Sequence, residues 1–200
     1  MPITFDKSTG RFRNERGRFI SNSEVHLEIN RTVVKLERNL RLISQNLNQK
    51  KITLAEWQIQ TAKTLKTAHL VVAAIGQGGR KRMTNSDWGK AGALIREQYK
   101  FLNNFARQIE RGKLSANKIE FRAASYSKAI RESFYKKEVE IRKQAGFSFC
   151  RRILNSMESC PQCSDWAGRG FVPIEEQPPI GGLVCGSFCR CELEYSNKSE

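Results

Sequence analysis

The stretch Ile52-Thr53-Leu54-Ala55-Glu56-Trp57 carries the clearest helix-start signal in the sequence. Thr53 is placed to cap the helix, Glu56 stands three positions later to complete a capping box, and Ile52 is placed to pack on Trp57. The layout returns in Met83-Thr84-Asn85-Ser86-Asp87-Trp88 and, without the acid, in Leu114-Ser115-Ala116-Asn117-Lys118-Ile119. The sequence therefore predicts three helices that begin after these caps, with the two tryptophans in structural rather than ligand-binding positions.

A further helix is predicted upstream of these three. Its apolar residues recur at intervals of 4, 3, 4, 3 and 4, as Ile29, Val33, Leu36, Leu40, Ile43 and Leu47. This spacing forms one narrow apolar stripe on a helix over 24–48, which we expect to pack against one or two other helices. The later helices are expected to end at the glycines of 76–79, at 111–112 and near 145–146. We therefore expect a mainly α fold with a basic four-helix body over 23–146, either closed into a bundle or extended along a partner.

Residues 1–22 precede the helical pattern and repeat a tripeptide. Gly10-Arg11-Phe12 and Gly17-Arg18-Phe19 lie seven residues apart, with turn-forming residues around them. Short segments of this kind read as a small hairpin or an extended arm, which buries little by itself. We expect the arm to dock on a neighbouring protein through Arg11, Phe12, Arg18 and Phe19. The alternative is a frayed terminus.

The charge of the chain is strongly positive and unevenly distributed. The 200 residues carry a net charge of +15, whereas residues 151–200 contain five basic and seven acidic residues, so the excess belongs to the first 150 residues. A strongly positive charge attracts polyanions, and nucleic acid is the first candidate among them. Solubility or an acidic protein partner would also account for the charge. Arg80-Lys81-Arg82, after the glycine-rich stop at 76–79, forms the candidate phosphate-contacting loop. No stretch is long and apolar enough to span a membrane, and the N-terminus has no apolar signal segment.

Five of the six cysteines lie in the last 41 residues, in the pattern C-x2-C-x21-C-x3-C-x-C. A C-x2-C turn places two thiolates on one side of a metal, and a second close cluster supplies the remaining ligands of a tetrahedral zinc site. We expect structural Zn²⁺ bound by four of the five, with Cys160, Cys163 and Cys185 as three ligands and either Cys189 or Cys191 as the fourth. Disulfides and unliganded thiols remain alternatives, and Cys150 is expected to be a buried free thiol.

The surrounding segment, 147–200, is predicted to form a small cysteine-rich module with a zinc-ribbon-like β-hairpin. Metal binding suits a segment of this size because it has little apolar core of its own. The sequence offers no Ser-His-Asp set, no credible carboxylate dyad and no cofactor fingerprint. We therefore expect a protein without enzymatic activity.

The cysteine segment resembles a known family. Cys160-Pro161-Gln162-Cys163, the run 168–174, Pro178-Pro179 and Cys189-Arg190-Cys191 are similar to the C-terminal end of tailed-phage minor head proteins, the head-morphogenesis family typified by phage Mu. Where members often have a His shortly before Cys-Arg-Cys, this chain has Cys185. The resemblance implies a structural protein of the virion at the portal, connector or inner capsid, made in the host cytoplasm and assembled as part of an oligomer beside packaged DNA.

Two other functions are alternatives to a structural role in the virion. A sequence-nonspecific nucleic-acid-binding protein with a zinc knuckle would bind DNA as an isolated monomer and would depend on 80–82. A small enzyme with a zinc or thiol site would carry an accessible cysteine of low pKa.

Overall fold

The computed structural model describes residues 3–199, so Met1 and Pro2 of the predicted arm and Glu200 of the predicted cysteine-rich module lie outside it. These residues form a mainly helical structure with two small sheets and a cysteine cluster. The α-helices are α1 (Asn22–Asn48), α2 (Leu54–Gly76), α3 (Asn85–Glu110), α4 (Ala116–Ser125), α5 (Ile130–Gln144) and α6 (Pro161–Gly168). The strands are β1 (Thr4–Asp6), β2 (Arg11–Arg13), β3 (Phe19–Ile20), β4 (Phe149–Ile153), β5 (Val172–Pro173) and β6 (Glu192–Ser196).

The predicted capping boxes form at the starts of α2 and α3. Thr53 Oγ1 accepts a hydrogen bond from the backbone N–H of Glu56 at 3.2 Å, and Glu56 Oε2 accepts one from the N–H of Thr53 at 2.8 Å. Thr84 and Asp87 make the same reciprocal pair. Each box satisfies two backbone donors that a helix start would otherwise leave unpaired, which fixes where the helix begins.

The helix predicted to run from Ser115 to about Ala145 is interrupted, and the prediction of one continuous helix was wrong. α4 ends at Ser125, a 3-10 turn spans Tyr126–Ala129, and α5 follows. Ser125 Oγ donates to the carbonyl of Arg122 at 2.7 Å, and such a bond competes with regular helix geometry. The tighter turn changes the direction of the apolar face, so that α4 packs mainly on α1 and α5 mainly on α2.

One large cluster of buried apolar side chains joins both ends of the described chain to the helices. Phe12 from the arm, Val72 from α2, Phe134 from α5 and Leu193 from β6 all belong to it. A smaller cluster surrounds Trp57 where α2, α3 and α4 meet. The cysteine segment is therefore packed on the helical body through a shared core.

The arm folds as a three-stranded antiparallel sheet, β1–β2–β3. Phe12, which we expected to dock on a neighbour, is fully buried against Phe5, with ring centroids 5.0 Å apart, so this expectation was wrong. Gly10 at the β1–β2 turn has a φ of +64°, and a Cβ there would lie 2.5 Å from the Phe147 ring. Sequence pattern alone does not reveal that the arm packs on its own chain.

The C-terminal segment differs from a simple hairpin. β4 is the central strand of a sheet in the order β5–β4–β6, and Cys150 of β4 pairs with Tyr195 of β6. The long connection between β4 and β6 contains α6, which was not predicted, β5 and a 3-10 turn at Gly186–Phe188. In the described part of the chain, no helix is both long and apolar enough to cross a membrane.

Candidate metal centre

Three local structures bring five cysteines together. Cys160 is the N-cap of α6, and its Sγ accepts a hydrogen bond from the backbone N–H of Cys163 at 3.4 Å. Pro161 occupies the first helical turn, where its missing N–H costs nothing and its fixed φ suits the helix. Cys185 and Cys189 flank the 3-10 turn 186–188, and Cys191 directly precedes β6. The C-x2-C sequence therefore forms a helix N-terminus, where backbone N–H groups stabilise a thiolate.

The thiols lie at separations that suit metal ligands. Cys163 Sγ is 3.6 Å from Cys185 Sγ and 3.9 Å from Cys189 Sγ. Two thiolates on one tetrahedral zinc are about 3.8 Å apart, given zinc–sulfur bonds of about 2.3 Å. The Sγ atoms form two groups whose members all lie within 4.8 Å of one another, Cys160/Cys163/Cys185 and Cys163/Cys189/Cys191. All five predicted ligands thus belong to one cluster that could hold a metal ion.

Cys150 is fully buried and lies outside both groups. It sits on β4 in the apolar core, and burial raises the pKa of its thiol to about 11. A thiol held neutral at physiological pH is a poor nucleophile and a poor metal ligand. Cys150 therefore behaves as a small core residue.

Arg152 is the one buried cation that contacts the cysteine sulfurs among the described residues, and the sequence analysis missed it. Its Nη1 lies 3.7 Å from Cys163 Sγ and 3.8 Å from Cys189 Sγ, while Nη2 donates to the Pro178 carbonyl at 2.6 Å. A buried guanidinium needs compensating negative charge, which thiolates supply. The alternation of a strand could have predicted that Arg152 is buried, because β4 exposes Arg151 and buries the residues on either side of it.

The thiols perturb one another strongly. Hydrogen bonding from the Cys191 thiol lowers the pKa of Cys189, and the backbone N–H of Cys163 lowers the pKa of Cys160. Burial raises the pKa of Cys185, and a hydrogen bond to Cys189 raises that of Cys191. In the absence of metal some thiols stay protonated so that others can ionise. A metal ion would replace those protons and allow more of the thiols to ionise together.

A cavity of about 630 Å³ adjoins the cluster, and all five cysteines line it together with residues of α1 and α5. His26 on its wall is held by Tyr135, whose hydroxyl lies 3.1 Å from His26 Nδ1 and donates to the Cys191 carbonyl at 3.0 Å. Burial lowers the pKa of His26 to about 4, so its imidazole is neutral at pH 7. These bonds tie Cys191 to the helical body.

The remaining predicted contact residues lie outside the cysteine segment, in the arm and in the turn at 80–82. These two parts of the chain come close to each other. Arg11 and Arg18 are exposed, and Phe19 is partly exposed beneath the guanidinium of Arg11, 4.4 Å from the ring centroid. Arg80, Lys81 and Arg82 are exposed on a 3-10 turn. The arm reaches the start of this turn, because the backbone N–H of Phe5 donates to the Gly78 carbonyl.

The cysteine centre has the donor set of a metal site of the zinc type, since thiolates select Zn²⁺ and other soft metals over Mg²⁺ or Ca²⁺. No family model, curated protein or solved structure matches the chain.

Proposed function

We propose that the chain is a structural protein without enzymatic activity, a minor head or head–tail junction protein of a tailed-phage virion. In this proposal a zinc-ribbon-like module is fastened to the helical body by structural Zn²⁺. The observation that carries it is the convergence of four cysteine sulfurs on that of Cys163, within the segment that bears the family resemblance.

A fastening role fits the position of the cluster. The segment between β4 and β6 has only α6, the two-residue β5 and one 3-10 turn as regular structure. Cys163, Cys189 and Cys191 are nevertheless buried in the main core. A segment this poor in regular structure gains stability from a metal cross-link that the apolar core alone does not supply.

The virion role rests on the family resemblance and on the surface of the arm. Arg11 and Arg18 present positive charge, and Phe19 is partly exposed, on an arm that is anchored in the core by Phe12. Such a surface suits contact with capsid, portal or connector subunits, and the charge of +15 suits a place beside packaged DNA.

Metal analysis tests the fastening role first. We expect the full chain, purified from cytosol with zinc present, to retain zinc in native mass spectrometry and to unfold at lower temperature after chelation. Cys160→Ser should bind less zinc than the parent protein and lose stability, whereas Cys150→Ala, a change outside the cluster, should leave the zinc content unchanged. A metal-free protein of unchanged stability would refute the fastening role.

The same spectra test the assembly role. A ring-sized oligomer is expected if the protein works at the portal or connector, and a triple change of Arg11→Glu, Arg18→Glu and Phe19→Ser should break it into folded monomers. A matched change on α3, Phe101→Ser, which is also exposed, should leave the oligomer intact. A stable monomer in the parent protein would count against the virion role.

Sequence-nonspecific nucleic-acid binding is the second candidate, and the exposure of Arg80, Lys81 and Arg82 favours it. Within residues 3–199 none of the three forms an ion pair. Reversing all three to Glu should weaken binding to duplex DNA at least tenfold at low salt and flatten its salt dependence. Lys50→Glu with Lys51→Glu, another exposed basic turn, is the control. Equal losses in both variants would indicate general charge attraction only.

A further inference from the structure

Cys163 occupies the centre of the cysteine cluster. It is the only residue common to the two groups, Cys160/Cys163/Cys185 and Cys163/Cys189/Cys191. Its sulfur lies 3.6 Å from Cys185 Sγ in the first group and 3.9 Å from Cys189 Sγ in the second. Both separations match that of two thiolates on one tetrahedral metal ion. Cys163 is thus at a metal-sharing distance from a member of each group.

We propose that the cluster holds two metal ions of the zinc class, bridged by the thiolate of Cys163. Cys160, Cys163 and Cys185 bind the first ion, and Cys163, Cys189 and Cys191 bind the second. Loading two Zn²⁺ converts all five cysteines to thiolates and releases to solvent the protons that the still-protonated thiols hold. The inference rests on the proposed metal centre and goes beyond it in stoichiometry.

A buried cation lies beside the shared sulfur. The sulfurs of Cys163 and Cys189 face Arg152, which is only 2% exposed. Five thiolates and two divalent ions carry a net charge of minus one, and the guanidinium of Arg152 offsets it.

Space for the remaining ligands is present. Each group supplies three sulfurs, so a tetrahedral ion needs one more donor. The cavity of about 630 Å³ is lined by all five cysteines. A water molecule takes up about 30 Å³, so the cavity is large enough to hold water molecules that could complete the coordination of ions on its wall.

The competing arrangement is a single zinc with one cysteine left as a free thiol. It uses Cys160, Cys163, Cys185 and either Cys189 or Cys191. The two arrangements differ in the count of metal ions and in the number of cysteines that bind metal, which is five with two ions and four with one. Both differences are measurable on the full chain.

Native mass spectrometry of the full chain loaded with zinc decides between them. We expect two zinc ions per chain in the parent protein, one in Cys191→Ser, one in Cys160→Ser, and two in the control Cys150→Ala. With ¹¹³Cd²⁺ in place of zinc, two resonances coupled through a shared sulfur are expected, and this readout needs no variant.

A single zinc per chain, with one uncoupled ¹¹³Cd resonance, would overturn the two-ion proposal while leaving the metal centre and its fastening role intact. A chain that binds neither metal would overturn both. The two failures are therefore distinguishable in one set of spectra.

Discussion

Arg142 on α5 donates a hydrogen bond of 2.6 Å from Nη1 to the carbonyl of Gly10 in the arm. The same guanidinium reaches Asn22 at the start of α1 and Glu138 one turn back on α5. It also lies over the rings of Phe5 and Tyr195, 5.1 and 4.9 Å from their centroids. One buried side chain thus connects the arm, the helical body and the C-terminal sheet.

Replacing this side chain should be strongly destabilising. Arg142→Met leaves the fully buried Glu138 without its counter-charge, and we expect a loss of about 3–5 kcal/mol in the free energy of unfolding. Urea denaturation followed by circular dichroism measures it.

The control is the next residue, Lys143, which pairs with Glu175 at the surface. Lys143→Met should cost less than about 1 kcal/mol. The double variant Arg142→Met/Glu138→Gln should recover part of the loss. Burial already raises the pKa of Glu138 to about 7, so without Arg142 this carboxyl must take up a proton or remain an uncompensated buried charge, and Gln does neither. Equal losses of stability in Arg142→Met and Lys143→Met would contradict the role assigned to Arg142.

Arg152 should govern how tightly the cysteine centre holds metal. Arg152→Met removes the cation facing Cys163 and Cys189, so we expect zinc affinity to fall by about 10–100-fold, the usual effect of losing an outer-shell partner. Competition with a chromogenic chelator measures the affinity. Arg151→Met, which removes an exposed neighbour on the same strand, should leave the affinity unchanged, and a similar fall there would argue against specific compensation.

We expect Trp57 to stabilise the fold rather than to bind a ligand. It is fully buried, its Nε1 donates to Ser44 Oγ at 3.0 Å, and its ring meets Phe105 edge-on. Trp57→Phe should cost about 2–3 kcal/mol through a lost hydrogen bond and a cavity. Trp88→Phe, at a half-buried site, should cost less than about 1 kcal/mol. Chemical denaturation of both variants gives the comparison, and a reversed order would refute it.

His69 should make the fold sensitive to acid. Burial lowers the pKa of His69 to about 4, below its unfolded value of about 6.5. Its contribution is therefore complete above pH 6.5 and is lost as pH falls towards 4, by about 3 kcal/mol. His69→Gln should flatten this part of the stability profile. Denaturation at pH 7, 5.5 and 4.5, with equal metal content, measures the slope, and an unchanged slope would exclude His69 as a source.

Local rules in the sequence predicted much of this structure. The capping boxes at Thr53 and Thr84 place helix starts because both partners lie within four residues. The cysteine spacing indicates a cluster because C-x2-C is itself a local turn. The break after Ser125, the burial of Phe12 and the role of Arg152 depend on contacts with distant segments, which spacing and periodicity do not encode.

The shared core also has a consequence for how the protein is made. The turn at Gly10 packs on Phe147, which in turn meets Tyr195 with ring centroids 6.3 Å apart. During synthesis the N-terminal strands emerge first, yet their full packing surface exists only after Tyr195 has left the ribosome. A chain truncated before β6 would leave Phe147 without its contact to Tyr195, so the Gly10 turn would lie against a less completely packed ring. We therefore expect the arm to be held fully in place only after β6 has been synthesised.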